Sequence, residues 1–253
     1  MNDVYQDQQN MATHTPNLIV TEDYAAMSRI ACDIVMGQLA QRPDSVLGLA
    51  TGGTPVGLYA QLCDRHADLS RTAVFNLDEY YPLSRQHPQS FYQFMKQHVY
   101  DSLKPLSWDI PDGEADDIIR ECARYETAIR ESGGLDLQVL GVGRNGHIGF
   151  NEPGTSFASR TRLVSLKQET VEDNARFFEN ASLVPLQAVT MGIATILEAK
   201  SIMLLASGSA KAEALRQLFY GRVSTEVPVT ALRLHPNVHV IADRQAAALL
   251  SVK

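Results

Sequence analysis

Ser45-Val46-Leu47-Gly48-Leu49-Ala50-Thr51-Gly52-Gly53-Thr54-Pro55-Val56-Gly57-Leu58-Tyr59-Ala60-Gln61-Leu62-Cys63 is the stretch that decides the fold. Residues 45–50 are apolar or small and too few for a helix, so they read as a buried strand. The Thr51-Gly52-Gly53-Thr54 turn interrupts that run, since glycine reaches backbone angles closed to other residues. From Pro55 helical character resumes, with proline at a first-turn position where its missing N–H is tolerated. The unit is strand, loop and helix.

The same grammar extends outward in both directions. Before the unit, Ala25, Ile30, Ile34, Val35 and Leu39 fall at roughly helical spacing and predict an amphipathic helix over residues 22–41, ended by Pro43. After it, strands are expected at 73–76, 135–141, 188–191, 201–206 and 238–242, with helices at 90–102, 114–130, 210–219 and 245–250. Helices alternating with continuous apolar strands predict an α/β fold in three layers, a mainly parallel sheet with helices on both faces. Neither a repeat nor a linker divides the chain, so residues 18–253 read as one domain behind a flexible polar leader, residues 1–17.

Composition narrows the chemistry. A chain of 253 residues, 45% hydrophobic, is long enough for a full core. Its formal charge of −7 and lack of a long basic block argue against nucleic-acid or anionic-membrane surfaces, so any phosphate site must be local. Cys32, Cys63 and Cys122 are widely spaced, without a CxxC pair. They fit reduced thiols in the cytoplasm better than disulfides or a zinc site. The leader lacks the charged start and apolar run of a signal peptide, and no apolar stretch is long enough to span a bilayer.

Three polar clusters follow predicted strands, where ligands of such sheets gather. Thr51, Gly52, Gly53 and Thr54 offer backbone N–H groups, hydroxyls and a helix N-terminus to an anion. They match no nucleotide-binding P-loop. Asp78 and Glu79 are adjacent, so on an extended backbone one enters a pocket while the other supports its wall, Asp78 being the candidate base. His147 and Glu152 share a glycine-bounded turn, where a carboxylate can hold an imidazole that exchanges protons near neutrality. Gly141-Val142-Gly143-Arg144-Asn145-Gly146 matches GxGxxG, but Asn151-Glu152-Pro153-Gly154 follows too soon for the helix that a dinucleotide site requires. Arg160, Arg162, Arg176 and Lys211 are the best cationic candidates for a phosphate dianion. His235 and His239 are four apart, but Pro236 opposes a helix there, so no metal is expected.

Together these segments, with Ser159-Arg160-Thr161-Arg162 and Ser207-Gly208-Ser209-Ala210-Lys211, resemble the glucosamine-6-phosphate deaminase family from about Leu18 to Asp243. The resemblance implies a Rossmann-like fold and a cofactor-free, metal-independent conversion of glucosamine 6-phosphate to fructose 6-phosphate and ammonia. It assigns Asp78 as the base that moves the C2 proton to C1, and His147 as the assistant in ring opening, held by Glu152 and Asn145. Phosphate binding falls to Thr51, Gly52, Gly53, Thr54, Arg176 and Lys211, with Glu79 in support. A mobile lid is implied over residues 154–186. The resemblance does not settle monomer or homo-oligomer.

Two departures from the family pattern bear on mechanism. Asn145 stands where well-known members carry aspartate, and an amide cannot offset an imidazolium charge, so Glu152 is expected to be the principal partner of His147. Glu152→Gln should then cost more activity than Asn145→Ala. Val164 replaces a lysine of the allosterically activated members, and the chain ends early at Lys253, so N-acetylglucosamine 6-phosphate is not expected to activate. Rival readings are a galactosamine-6-phosphate deaminase, a 6-phosphogluconolactonase and a non-catalytic sugar-phosphate sensor. The lactonase pattern Ser-Leu-Phe-Pro is replaced here by Phe150-Asn151-Glu152-Pro153. A DNA-linked sensor would need room for a helix-turn-helix before the first helix.

Overall fold

A computed structural model describes residues 12–167, 171, 178 and 184–251. Seven strands form one parallel sheet: β1 (Asn17–Thr21), β2 (Val46–Leu49), β3 (Ala73–Asn76), β5 (Ser107–Asp109), β6 (Leu137–Gly141), β9 (Ile202–Ala206) and β10 (Val238–Asp243). Their order across the sheet is β1-β10-β9-β6-β2-β3-β5. From β2 the chain builds outward through β3 to β5, then returns to the other side of β2 as β6. The connections diverge between β2 and β6, which opens a crevice at their carboxyl ends.

Alternate strand residues serve two cores, as a sheet covered on both faces requires. Leu47, Leu49, Val74, Val139, Met203 and Ile241 pack against α1 (Tyr24–Gln41), α2 (Val56–Asp64) and residues Met95, Val99 and Leu103. Val46, Phe75, Leu140, Leu204 and Val240 face α5 (Ile118–Glu131), α6 (Ile193–Leu197) and α7 (Ala212–Tyr220). The expected three-layer α/β architecture is therefore present.

Several local expectations are corrected. On α1 the buried stripe, facing α2 and the sheet, is Met27, Ser28, Ala31, Cys32, Val35 and Leu39, while Ala25 is exposed. Residues 90–102 are two short helices, α3 (Phe91–Met95) and α4 (Asp101–Leu103), joined by a π turn at Lys96–Tyr100. Residues 245–250 form successive turns rather than a helix; the Asp243 carboxylate takes the Ala246 N–H and bends the chain as it leaves β10. Of the leader, residues 1–11 lie outside those described, His14 N–H donates to the Arg233 carbonyl, and Asn17 already opens β1.

A second, antiparallel sheet was not expected. It comprises β4 (Asp78–Tyr81), β7 (Arg162–Ser165) and β8 (Gln187–Thr190), with β8 in the middle. Leu77 is the hinge: its N–H donates to Leu49 in the large sheet and its carbonyl accepts from Met191 just beyond β8. The segment expected to be one of the buried strands of the large sheet, residues 188–191, belongs to this smaller one.

Candidate active site

At the carboxyl ends of β2, β3 and β6 lies one cavity of about 880 Å³, room enough for a hexose phosphate. Thr51, Gly52, Gly53, Thr54, Asp78, His147 and Lys211 all line it, together with Tyr24, Arg144 and Ser207. The three clusters, distant in sequence, thus share one space.

Asp78 opens β4 immediately beyond the large sheet and is 5% exposed. Among the described residues its carboxylate takes no hydrogen bond. Burial, and then the charge of Glu79, push its carboxyl well above the ordinary carboxylate range. Glu79 points the other way, as strand alternation requires. Its two oxygens accept the N–H groups of Tyr80 (2.8 Å), Phe91 (2.9 Å) and Tyr92 (2.9 Å), so it holds the start of α3 against β4. Desolvation still raises it to about 7, against the pull of those N–H groups and of Arg85.

The turn after β6 carries His147. Gly143 N–H donates to the His147 carbonyl and Gly146, at φ +83°, closes the bend, which leaves no helix in the GxGxxG segment. The imidazole lies directly over Gly143: a Cβ built there would stand 2.1–2.4 Å from three ring atoms. Nδ1 of His147 is 2.8 Å from the Asn145 side-chain oxygen, and the Asn145 amide donates to Glu152 Oε2 at 2.9 Å. Glu152 itself stands 3.7 Å from Nδ1. The direct hydrogen-bond partner is Asn145, with the Glu152 carboxylate in ion-pair range behind it.

This relay fixes chemistry as well as geometry. A carboxylate only accepts, so the amide NH₂ of Asn145 faces Glu152 and its oxygen faces His147. That oxygen requires a proton on Nδ1, which leaves Nε2 to exchange protons with a ligand. Glu152, behind the amide, supplies the negative charge that Asn145 lacks.

The cationic candidates separate. Lys211 lines the cavity, at the end of the Ser209–Lys211 turn that precedes α7. Arg160 does not: it is engaged by Glu126 and Glu198 beside α5. Arg162 reaches Asn151 Oδ1 at 2.9 Å, bracing the His147 turn from behind. Arg176 and much of the segment expected to be a lid, residues 168–170, 172–177 and 179–183, lie outside the described residues. Tyr80, Phe91 and Phe150 form an aromatic wall, with Phe178 edge-on to Tyr80 at 5.8 Å. Arg144, Tyr24 and the role of Gly143 were not evident from the sequence. A GxG pair one turn before a histidine was the available signal for the last.

Comparison with known proteins gives this geometry a context. Residues 22–241 match the family of glucosamine-6-phosphate isomerases/6-phosphogluconolactonase. Glucosamine-6-phosphate deaminases of Alkaliphilus metalliredigens (strain QYMF) and Geobacillus sp. (strain WCH70) are 49% and 50% identical, each over 92% of this chain and over 99% and 95% of their own. A solved structure described as a monomeric glucosamine-6-phosphate deaminase superposes with a TM-score of 0.90 at 46% identity, over 92% of this chain and 99% of its own. A 6-phosphogluconolactonase from Trypanosoma cruzi shares the fold at a TM-score of 0.77 and 20% identity, over 96% of this chain and 100% of its own. The chain belongs to the glucosamine-6-phosphate isomerase/6-phosphogluconolactonase family, on the deaminase side of it by sequence identity.

Proposed function

We infer that this protein converts glucosamine 6-phosphate and water to fructose 6-phosphate and ammonia. The observation that carries the reading is the convergence of a buried carboxylate, a tautomer-fixed imidazole and an anion-binding loop on one cavity. His147 Nε2 exchanges the ring proton, opening the pyranose to its aldehyde. Asp78 removes the C2 proton, giving an enolamine, and returns it to C1. C1 is thereby reduced and C2 oxidised within one molecule, so the step balances without an external electron carrier. The resulting C2 iminium adds water and expels ammonia.

Burial makes Asp78 a stronger base than an ordinary carboxylate, and the aromatic wall keeps water from competing for the enolamine. Residues 51–54, Lys211 and, from the family resemblance, Arg176 are assigned to the phosphate, whose binding energy orients the reacting carbons. A phosphorylated amino sugar is the partner we assign. The three free cysteines support a reducing, cytoplasmic setting. Among the described residues no helix is long and apolar enough to cross a membrane. Val164, packed beside the Tyr80–Phe150 cluster rather than offering a cation, supports the absence of activation by N-acetylglucosamine 6-phosphate.

The test is direct. Purified protein is incubated separately with glucosamine 6-phosphate, galactosamine 6-phosphate and 6-phosphogluconolactone, with ammonia, ketose phosphate and acid release measured. Ammonia and fructose 6-phosphate in equal amounts from the first substrate support the assignment. Acid release from the lactone without ammonia from either amino sugar overturns it.

A further inference from the structure

Tyr24, at the start of α1, belongs to none of the roles assigned above, yet it lines the cavity beside residues 51–54. Helix α2, which follows that loop, begins after Pro55 with no side-chain cap of its own. The first N–H groups of a helix need acceptors from elsewhere. One comes from α1: Gly57 N–H donates to the Tyr24 hydroxyl oxygen at 2.7 Å, and that hydroxyl donates to the Gly53 carbonyl at 3.1 Å. A single oxygen thus ties the loop and the helix it feeds to a neighbouring element.

Two further observations show what this tie does. A Cβ added at Gly52 or Gly53 would meet nothing within 4 Å, so no neighbour crowds that side of the loop. A Cβ at Gly57 would stand 2.3 Å from Ser28 Oγ and 2.9 Å from the Tyr24 hydroxyl, so glycine there is what lets α1 approach so closely. The Tyr24 proton also engages the Gly53 carbonyl, a dipole that would repel an anion.

We infer that Tyr24 is a positioning residue that pre-shapes the 51–54 loop for the substrate's phosphate. This rests on reading residues 51–54 and Lys211 as the anion-binding part of the site. The tie acts on a group that does not react, so its loss is read first in KM and in the Ki of phosphate.

Tyr24→Phe deletes one oxygen from a residue 37% exposed, so the core is undisturbed. The expected result is a KM for glucosamine 6-phosphate raised about tenfold with kcat within about twofold, as loss of two hydrogen bonds implies. The Ki of inorganic phosphate as a competitive inhibitor rises in proportion. Lys211→Ala is assayed in parallel. Phosphate inhibition weakened in Lys211→Ala but unchanged in Tyr24→Phe overturns the role of Tyr24 and leaves the phosphate assignment standing. Inhibition unchanged in both removes the phosphate assignment, and the inference with it. A lowered Tm with unaltered KM in Tyr24→Phe marks a merely structural tyrosine and also overturns the inference.

Discussion

Asn145 decides which nitrogen of His147 faces the cavity, its oxygen fixed by the His147 N–H and its amide by Glu152. The order of these contacts predicts that Asn145→Ala lowers kcat at least as much as Glu152→Gln, a ranking opposite to the one that charge alone gives. Steady-state kinetics of the two variants decide it; a loss about tenfold larger in Glu152→Gln restores the charge argument. Asn145→Asp places a full negative charge at the 2.8 Å contact, which favours imidazolium. The kcat of this variant, measured against wild type at one pH, reports that change. Gly143→Ala should lower kcat/KM by about a hundredfold or more, since a methyl group occupies the position of the ring. Circular dichroism distinguishes a displaced imidazole from a lost fold. The sequence showed that His147, Glu152 and Asn145 share a turn, but not which partner is nearer. Their spacings in a glycine-rich bend carry no direction until the backbone is known.

Strand β4 places the two adjacent acids on opposite sides, one in the cavity and one at the head of α3. The pH dependence follows. Asp78 acts as a base only when ionised, so kcat/KM falls as pH drops through its raised pKa, and this acidic limb lies above the ordinary carboxylate range. Glu79→Gln removes the neighbouring charge that helps to raise Asp78, so the limb moves to lower pH. An unmoved limb in a folded variant assigns it to another group. The β/α alternation was legible where strands are short apolar runs ending at glycine or a polar turn, as in β2, β3, β6, β9 and β10; β5, Ser107-Trp108-Asp109, has no such run, and neither it nor β1 was read from the sequence. The small sheet was not: Asp78-Glu79-Tyr80-Tyr81 and Arg162-Leu163-Val164-Ser165 have neither a continuous apolar run nor a clean alternation. The pairing of β4 with β8 joins Asp78 to Thr190 and Tyr81 to Gln187, a separation in sequence that no local pattern records.

For the whole molecule, the reversal of strand order between β2 and β6 creates the crevice, and a buried acid placed in it costs stability. The sign follows from linkage. With a folded-state pKa above its unfolded value, Asp78 holds a proton in the native state that the unfolded chain has released, so stability declines as pH rises through that window. Each tenfold difference in proton affinity between the folded and unfolded chain corresponds to about 1.4 kcal/mol. Asp78→Asn should therefore raise Tm at about pH 8, and the gain should vanish near pH 3, where both states are protonated. Equal Tm values at the higher pH would show that burial of Asp78 carries no penalty. The same variant gives the most direct test of the central claim, that a buried carboxylate just beyond the tip of β3 is the base of an amino sugar phosphate deaminase. Ammonia release from glucosamine 6-phosphate is measured for wild type and Asp78→Asn, alongside binding of a phosphorylated polyol analogue. Turnover is expected to fall about a thousandfold or more, with analogue affinity within a few-fold of wild type. Turnover retained in Asp78→Asn, with the analogue still bound, would contradict it.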